Sequence, residues 1–142
     1  MLFKNILVPY DGSSHSKHAF KVALDMAKKY NSKLSMLTVL DTSSGYWGHS
    51  NLWDKAMGSA KNLVPKEFKS FESTAKKAKV SFHSEILESR SITKTIVSYS
   101  KSKKIDLIVM GAHGITGWDK LILGSVTDSI AHRVSCPVLI IR

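Results

Sequence analysis

The stretch Leu107-Ile-Val-Met-Gly111-Ala-His113-Gly114-Ile-Thr-Gly-Trp-Asp-Lys-Leu-Ile-Leu-Gly124-Ser125 decides how this chain is read. Four apolar residues, Leu107 to Met110, are long enough for a buried strand and too few for a helix. Four of the chain's eight glycines follow, between positions 111 and 124, and a helical pattern then runs from Ser125 to about Val134. Strand, glycine-rich loop and helix start, in that order, are how an α/β protein builds an anion site. Glycine permits close backbone approach, and the free N–H groups of the first helical turn donate to the anion. The loop is not GxxxxGK[ST], because no lysine follows a glycine at that spacing. Nor is it GxGxxG, because Gly111 and Gly114 are three apart.

The same alternation extends outward in both directions. Phe3 to Val8 reads as a buried strand ended by Pro9. Ser13 or Ser14 caps a helix to about Tyr30, with Ala19, Ala23, Met26, Ala27 and Tyr30 on one face. Lys33 to Leu40 is a second strand, and residues 41–50 form a polar loop carrying Tyr46 and Trp47. Residues 51–79 are mostly helical, with a break expected near Pro65. Val80 to Ile86 reads as a third, edge-like strand, and Ser91 to Lys103 as a helix with Ile92, Ile96 and Val97 inward. Pro137 stops the last helix before the strand Val138 to Ile141. Near-continuous apolar strands alternating with helices predict an α/β fold, a parallel sheet covered on both faces. Ligands in such sheets bind beyond the carboxyl ends of the strands, where the strand order reverses. The loops Pro9 to Ser14 and Gly111 to Ser125 are the candidates.

Bulk properties bound the rest. At 142 residues the chain reads as one domain, 1–142, able to bury a core. Its composition, 43% apolar and 23% charged, is that of soluble globular proteins. No apolar run is long enough to span a bilayer, and the start is too short for a signal peptide. One cysteine, Cys136, excludes an internal disulfide, suits the cytoplasm and reads as a small apolar residue. The net charge of +10 favours anionic partners. Its lysines are dispersed toward helix ends, where they suit the helix dipole, and no nucleic-acid motif accompanies them.

Several side chains carry two readings. Asp11 could accept from a base amino group or a ribose hydroxyl, or simply hold the Asp-Gly turn. Ser125-x-x-Asp128 fits a capping box, so Ser125 either caps the last helix or meets a phosphate. The hydroxyls of Ser125 and Thr127 would help offset the Asp128 charge. His113 could touch a phosphate or act as a base; a loop histidine is more often solvated. Trp118, Trp47 and Trp53 could close over a ligand or pack. His15 and His18 lack a third ligand, which argues against a metal site. No nucleophile elbow is present.

These residues resemble the universal stress protein family, specifically its ATP-binding branch. Ile6-Leu-Val-Pro-Tyr-Asp11-Gly-Ser-Ser-His-Ser is similar to the family's opening strand and Asp-containing loop. Gly111-x2-Gly114-x9-Gly124-Ser125 matches its nucleotide motif, and Cys136-Pro-Val-Leu-Ile-Ile141 resembles its closing strand. The resemblance implies an open five-stranded parallel sheet of order 3-2-1-4-5, of the adenine nucleotide alpha-hydrolase-like kind. It implies ATP, with Mg²⁺ held through the phosphates, across the ends of strands 1 and 4. Asp11 and Val39 would meet the adenine, with Pro9, Tyr10 and Met110 beside them. Gly111, His113 and Gly114 would line the ribose and phosphates, and Gly124, Ser125, Val126 and Thr127 would hold the phosphates. A homodimer through Val138 to Ile141 is also implied, which would cover an exposed apolar edge. The expected role is a cytoplasmic, nucleotide-dependent regulator acting through an unidentified protein partner. The alternatives are a slow ATPase or nucleotidyl-transfer enzyme using His113, or a module for AMP or another nucleotide. The 41–50 loop departs from the family pattern.

Overall fold

The computed structural model describes residues 3–43, 50–113 and 123–142, and for 50–61 the backbone alone. Five strands form one parallel sheet: β1 (Asn5–Pro9), β2 (Lys33–Asp41), β3 (Ser81–Ser89), β4 (Leu107–Gly111) and β5 (Val138–Ile141). Their order is β3-β2-β1-β4-β5, as the resemblance implies. Among the described residues four helices connect them: α1 (Ser14–Tyr30), α2 (Ser50–Lys77), α3 (Ile92–Ser102) and α4 (Ser125–Arg133).

Strand periodicity sorts the core into two layers, because alternate side chains point to opposite faces. Ile6, Val8, Leu34, Met36, Leu107 and Val109 pack with Ala19, Phe20, Ala23 and Ala27 of α1 and Val64, Phe68 and Ala75 of α2. Leu7, Leu37, Ile108 and Met110 pack on the other face with Ile96 and Tyr99 of α3 and Ile130 of α4. β1 and β4 are therefore apolar at consecutive positions, which is why they read as unbroken runs rather than alternating ones. Each large aliphatic side chain buried there contributes roughly 1.5–3 kcal/mol.

α1 starts where Ser13, in an extended conformation, accepts at Oγ from the Ser16 N–H at 3.1 Å. Ser16 Oγ donates back to the Ser13 carbonyl at 2.9 Å. Asn31 ends the helix in the left-handed region at φ 56°, and the Ser32 N–H donates to the Ala27 carbonyl. α2 corrects the expectation of a break: it runs unbroken through Pro65. Proline removes one hydrogen bond and costs about 3 kcal/mol in a helix interior. Burial of Val64 and Phe68 on either side offsets that by holding the helix against the sheet. β3 lies at an edge and carries the outward charges that protect one. β5, the other edge, carries none, and its Leu139 is 37% exposed. Burial pushes the Cys136 thiol up, a backbone hydrogen bond partly opposing, so it packs as a neutral small residue.

Candidate functional site

The chain leaves β1 toward β2 on one side, and β4 occupies the other side, so the strand order reverses between β1 and β4. Their ladder spans two positions, Ile6↔Leu107 and Leu7↔Ile108. Beyond it Val8 and Pro9 pair with Met36 and Leu37, whereas Val109, Met110 and Gly111 pair with Leu139, Ile140 and Ile141. The β1–β4 ladder thus stops short of the strands' carboxyl ends, the place where a parallel sheet of this kind offers a ligand crevice. The 10–13 loop and the 112–124 connection both spring from its rim.

On the β1 side, the Tyr10 N–H donates to the Leu37 carbonyl at 2.9 Å, and Thr38 Oγ1 donates to the Tyr10 carbonyl at 2.8 Å. The Tyr10 ring turns into the core against Phe68 and Phe71 and is 2% exposed. Tyr10 anchors the loop and presents no side chain to the crevice. Asp11 follows it, exposed, with Oδ1 accepting from the Ser13 N–H at 2.9 Å. The turn reading of Asp11 is therefore real, and it leaves Oδ2 for another partner. Gly12 supplies the left-handed φ of 86° that the turn needs, and a Cβ there would have nothing within 4 Å. Pro9 and Val39 are half-buried at the ends of β1 and β2.

On the β4 side, Met110 is 4% exposed and packs below the crevice with the α3 and α4 core. Gly111 is glycine for a tertiary reason. A Cβ there would lie 2.7 Å from the His15 Cβ and 3.0 and 3.1 Å from backbone atoms of His15 and Ser16. The start of α1 crosses directly over it. His113 corrects the expectation of a solvated loop histidine: it is 8% exposed and stacks edge-on against His15, ring centroids 5.4 Å apart. Packing against α1 accounts for its burial. Among the described residues no three His, Cys, Asp or Glu side chains converge on a metal site.

The connection is closed at its base, where the Ala112 N–H donates to the Ile141 carbonyl at 2.7 Å and the Gly124 N–H to the Ala112 carbonyl at 2.8 Å. Gly124, not Ser125, is the N-cap of α4, and no side chain caps that helix. The capping-box reading of Ser125 fails because Ser125 already has helical geometry at the first position, with its hydroxyl exposed. The first-turn amides of Ser125, Val126 and Thr127 consequently have no side-chain cap, a feature of anion sites. Thr127 Oγ1 is buried and donates to the Gly111 carbonyl at 2.8 Å, so its hydroxyl ties α4 to β4. Thr127 can offer a ligand its amide. Asp128 is directed along the helix toward His132, whose Nδ1 lies 3.6 Å from its carboxylate. Gly114, Trp118, Tyr46 and Trp47 lie outside the described residues, as does the Trp53 side chain. The Thr127–Gly111 bond and the His15 contact had no local sequence signal, since each joins residues far apart in the chain.

Comparison with known proteins bears on this arrangement. The model of the universal stress protein family matches residues 2–142. Universal stress protein MJ0531 of Methanocaldococcus jannaschii is 33% identical over 143 residues, covering 99% of this chain and 83% of the relative. Universal stress protein UspA from Lactobacillus plantarum has a similar structure, with a TM-score of 0.88 at 26% identity, covering 100% of this chain and 99% of that one. Two more distant structures share the fold. One is a universal stress protein in complex with cAMP, with a TM-score of 0.69 at 23% identity and coverage of 100% and 98%. The other, from Archaeoglobus fulgidus in complex with dAMP, has a TM-score of 0.66 at 17% identity and coverage of 100% of both chains.

Proposed function

This chain belongs to the universal stress protein family, and from that membership we propose that it is a cytoplasmic regulatory protein that binds ATP in the crevice between β1 and β4. The observation that carries the reading is the amino end of α4, which no side chain caps and which Thr127 Oγ1 ties to the Gly111 carbonyl at the end of β4. The amides of Ser125, Val126 and Thr127 and the Ser125 hydroxyl donate to the phosphates, with the helix dipole adding about half a positive charge. Gly124 keeps that approach clear. Asp11 Oδ2 accepts from the adenine amino group or a ribose hydroxyl, and Val39 lends an apolar wall. Pro9, Met110, Gly111 and His113 shape the crevice from behind, and Gly114 joins the proposed site by its place in the sequence motif. ATP brings Mg²⁺ with its triphosphate. Residues 1–142 act as one domain in this proposal.

Solved relatives in complex with cAMP and dAMP support an adenine nucleotide as the ligand class. They also favour a second reading, a module for an adenine mononucleotide. Hydrolysis finds less support, because His113, the base that the sequence offered, is packed against His15.

Calorimetric titration separates these readings. ATP with Mg²⁺ should bind the wild type and bind Gly124→Val and Gly114→Val at least about tenfold more weakly, a change of about 1.4 kcal/mol. Equal affinity in all three sinks the crevice assignment. AMP or cAMP binding as tightly as ATP would select the mononucleotide reading.

The proposal includes a homodimer formed through β5. That strand is an edge without charged residues, and Leu139 is exposed on it. Sedimentation equilibrium should give a dimer for the wild type and a monomer for Leu139→Lys, because the charge sits on the exposed face and leaves the core intact. A monomeric wild type ends this part of the proposal. Cytoplasmic action rests on the single cysteine, which leaves the chain without an internal disulfide. Among the described residues no helix is long and apolar enough to cross a membrane.

A further inference from the structure

A cavity of about 240 Å³ lies at the opposite end of the sheet, where β1, β2 and β3 begin. Ser35 of β2, Ser81 and His83 of β3, and Tyr99 near the end of α3 line it, with Lys33 and Lys103 at its rim. That volume exceeds the space for a single water many times over and approaches that of a small-molecule site.

Its decisive feature is Tyr99. The residue is 5% exposed, and its hydroxyl is buried without a hydrogen-bond partner. An orphaned buried hydroxyl costs about 1–3 kcal/mol. Burial raises the Tyr99 pKa first, and the Glu85 charge adds to it. Ser35 softens that rise, yet the pair falls outside hydrogen-bond geometry. The phenol therefore stays neutral and has a proton to donate. The Lys103 ammonium lies 5.9 Å from the Tyr99 ring centroid, holding a positive charge over the mouth. Lys33, exposed at the start of β2, adds a second. Of the nearby carboxylates, Glu85 is engaged by His83 at 3.1 Å, and Asp106 accepts from the Lys4 and Asn5 N–H groups. The carboxyl end of α3 opposes an anion with a partial charge of about half a unit, less than the two lysines supply.

We propose that this cavity binds a small organic oxyanion, a carboxylate or phosphate monoester, with the Tyr99 hydroxyl and the Ser35 and Ser81 hydroxyls as hydrogen-bonding partners and Lys33 and Lys103 as counter-charges. The site lies at the amino ends of the strands, the opposite end from the nucleotide crevice, and shares no residue with it.

Residue-resolved amide shifts of the isotope-labelled full chain, titrated with inorganic phosphate and separately with acetate, test this. At least one arm should give saturable shifts at Ser35, Ser81 and Ile105, and the arm that does identifies the oxyanion. Tyr99→Phe and the exposed Lys103→Gln should each weaken binding about tenfold. Without ligand, Tyr99→Phe should unfold at higher denaturant than the wild type, because it removes the orphaned hydroxyl. Shifts confined to Ser125, Val126 and Thr127 would report the crevice alone and overturn the second site. So would non-saturating shifts, shifts unchanged in Tyr99→Phe, or a loss of stability in that variant.

Discussion

Gly111→Ala is expected to lower the folding free energy by about 3 kcal/mol, the upper end for forcing a methyl into a packed interior. Gly111 does not need glycine for its backbone angle, since Gly12 is the glycine with positive φ among the described residues. The added Cβ would stand 2.7 Å from the His15 Cβ and about as close to backbone that no rotamer change can move. Relief would require α1 to lift from β4. Two sets of bonds resist that: the Ser13–Ser16 cap at the start of α1, and the Thr127 hydroxyl on the Gly111 carbonyl. Gly12→Ala is the control. Its Cβ meets nothing, so only the left-handed φ of 86° is penalised, at about 1 kcal/mol. Urea unfolding midpoints at constant m-value measure both. Equal losses in the two variants would show that the close approach at Gly111 does not govern stability.

Asp106→Ala is expected to cost about 2–3 kcal/mol, although the residue is only half-buried. Its carboxylate accepts from the Lys4 N–H at 2.9 Å through Oδ2 and from the Asn5 N–H at 3.0 Å through Oδ1. Its own N–H donates to the Asn5 carbonyl at 3.0 Å. The Asn5 side chain closes the clasp on the Lys104 carbonyl at 3.1 Å. These bonds align the start of β1 with the start of β4, which share just two ladder positions. Bonds to a charged acceptor are worth more than neutral ones, and partial exposure reduces the sum. Asp106→Asn should lose less, because its amide oxygen can still accept from one of the two N–H groups. A variant Asp106→Ala with the wild-type midpoint would show that the sheet aligns β1 and β4 without the clasp.

The strands and helices were legible because each is announced locally. Continuous apolar runs marked β1 and β4, which are buried on both faces. The Asn31 C-cap and the Ser13 N-cap obey the usual capping chemistry. Local rules failed where a distant partner changed the balance. Pro65 did not break α2, because Val64 and Phe68 are buried against the sheet. Ser125 does not cap α4, because Gly124, pinned to Ala112, already occupies the cap position. His113 is buried because α1 brings His15 against it.

The strand order came from the family resemblance and not from periodicity. Alternating apolar runs and helices dictate a parallel sheet, since each crossover must cover a face with a helix. The spacing Gly111-x2-Gly114-x9-Gly124-Ser125 marks the family, because that pattern is local and survives in one dimension. What residues in and around the pattern do was decided by contacts that span from 16 to 102 residues of chain. Gly111 makes room for α1, Thr127 ties α4 to β4, and Asp106 clasps β1. The unpartnered Tyr99 hydroxyl over its cavity is likewise invisible in sequence, because an absent hydrogen bond has no residue pattern. Periodicity and caps are properties of neighbours along the chain. Close approach, burial and orphaned groups exist only once the chain has packed.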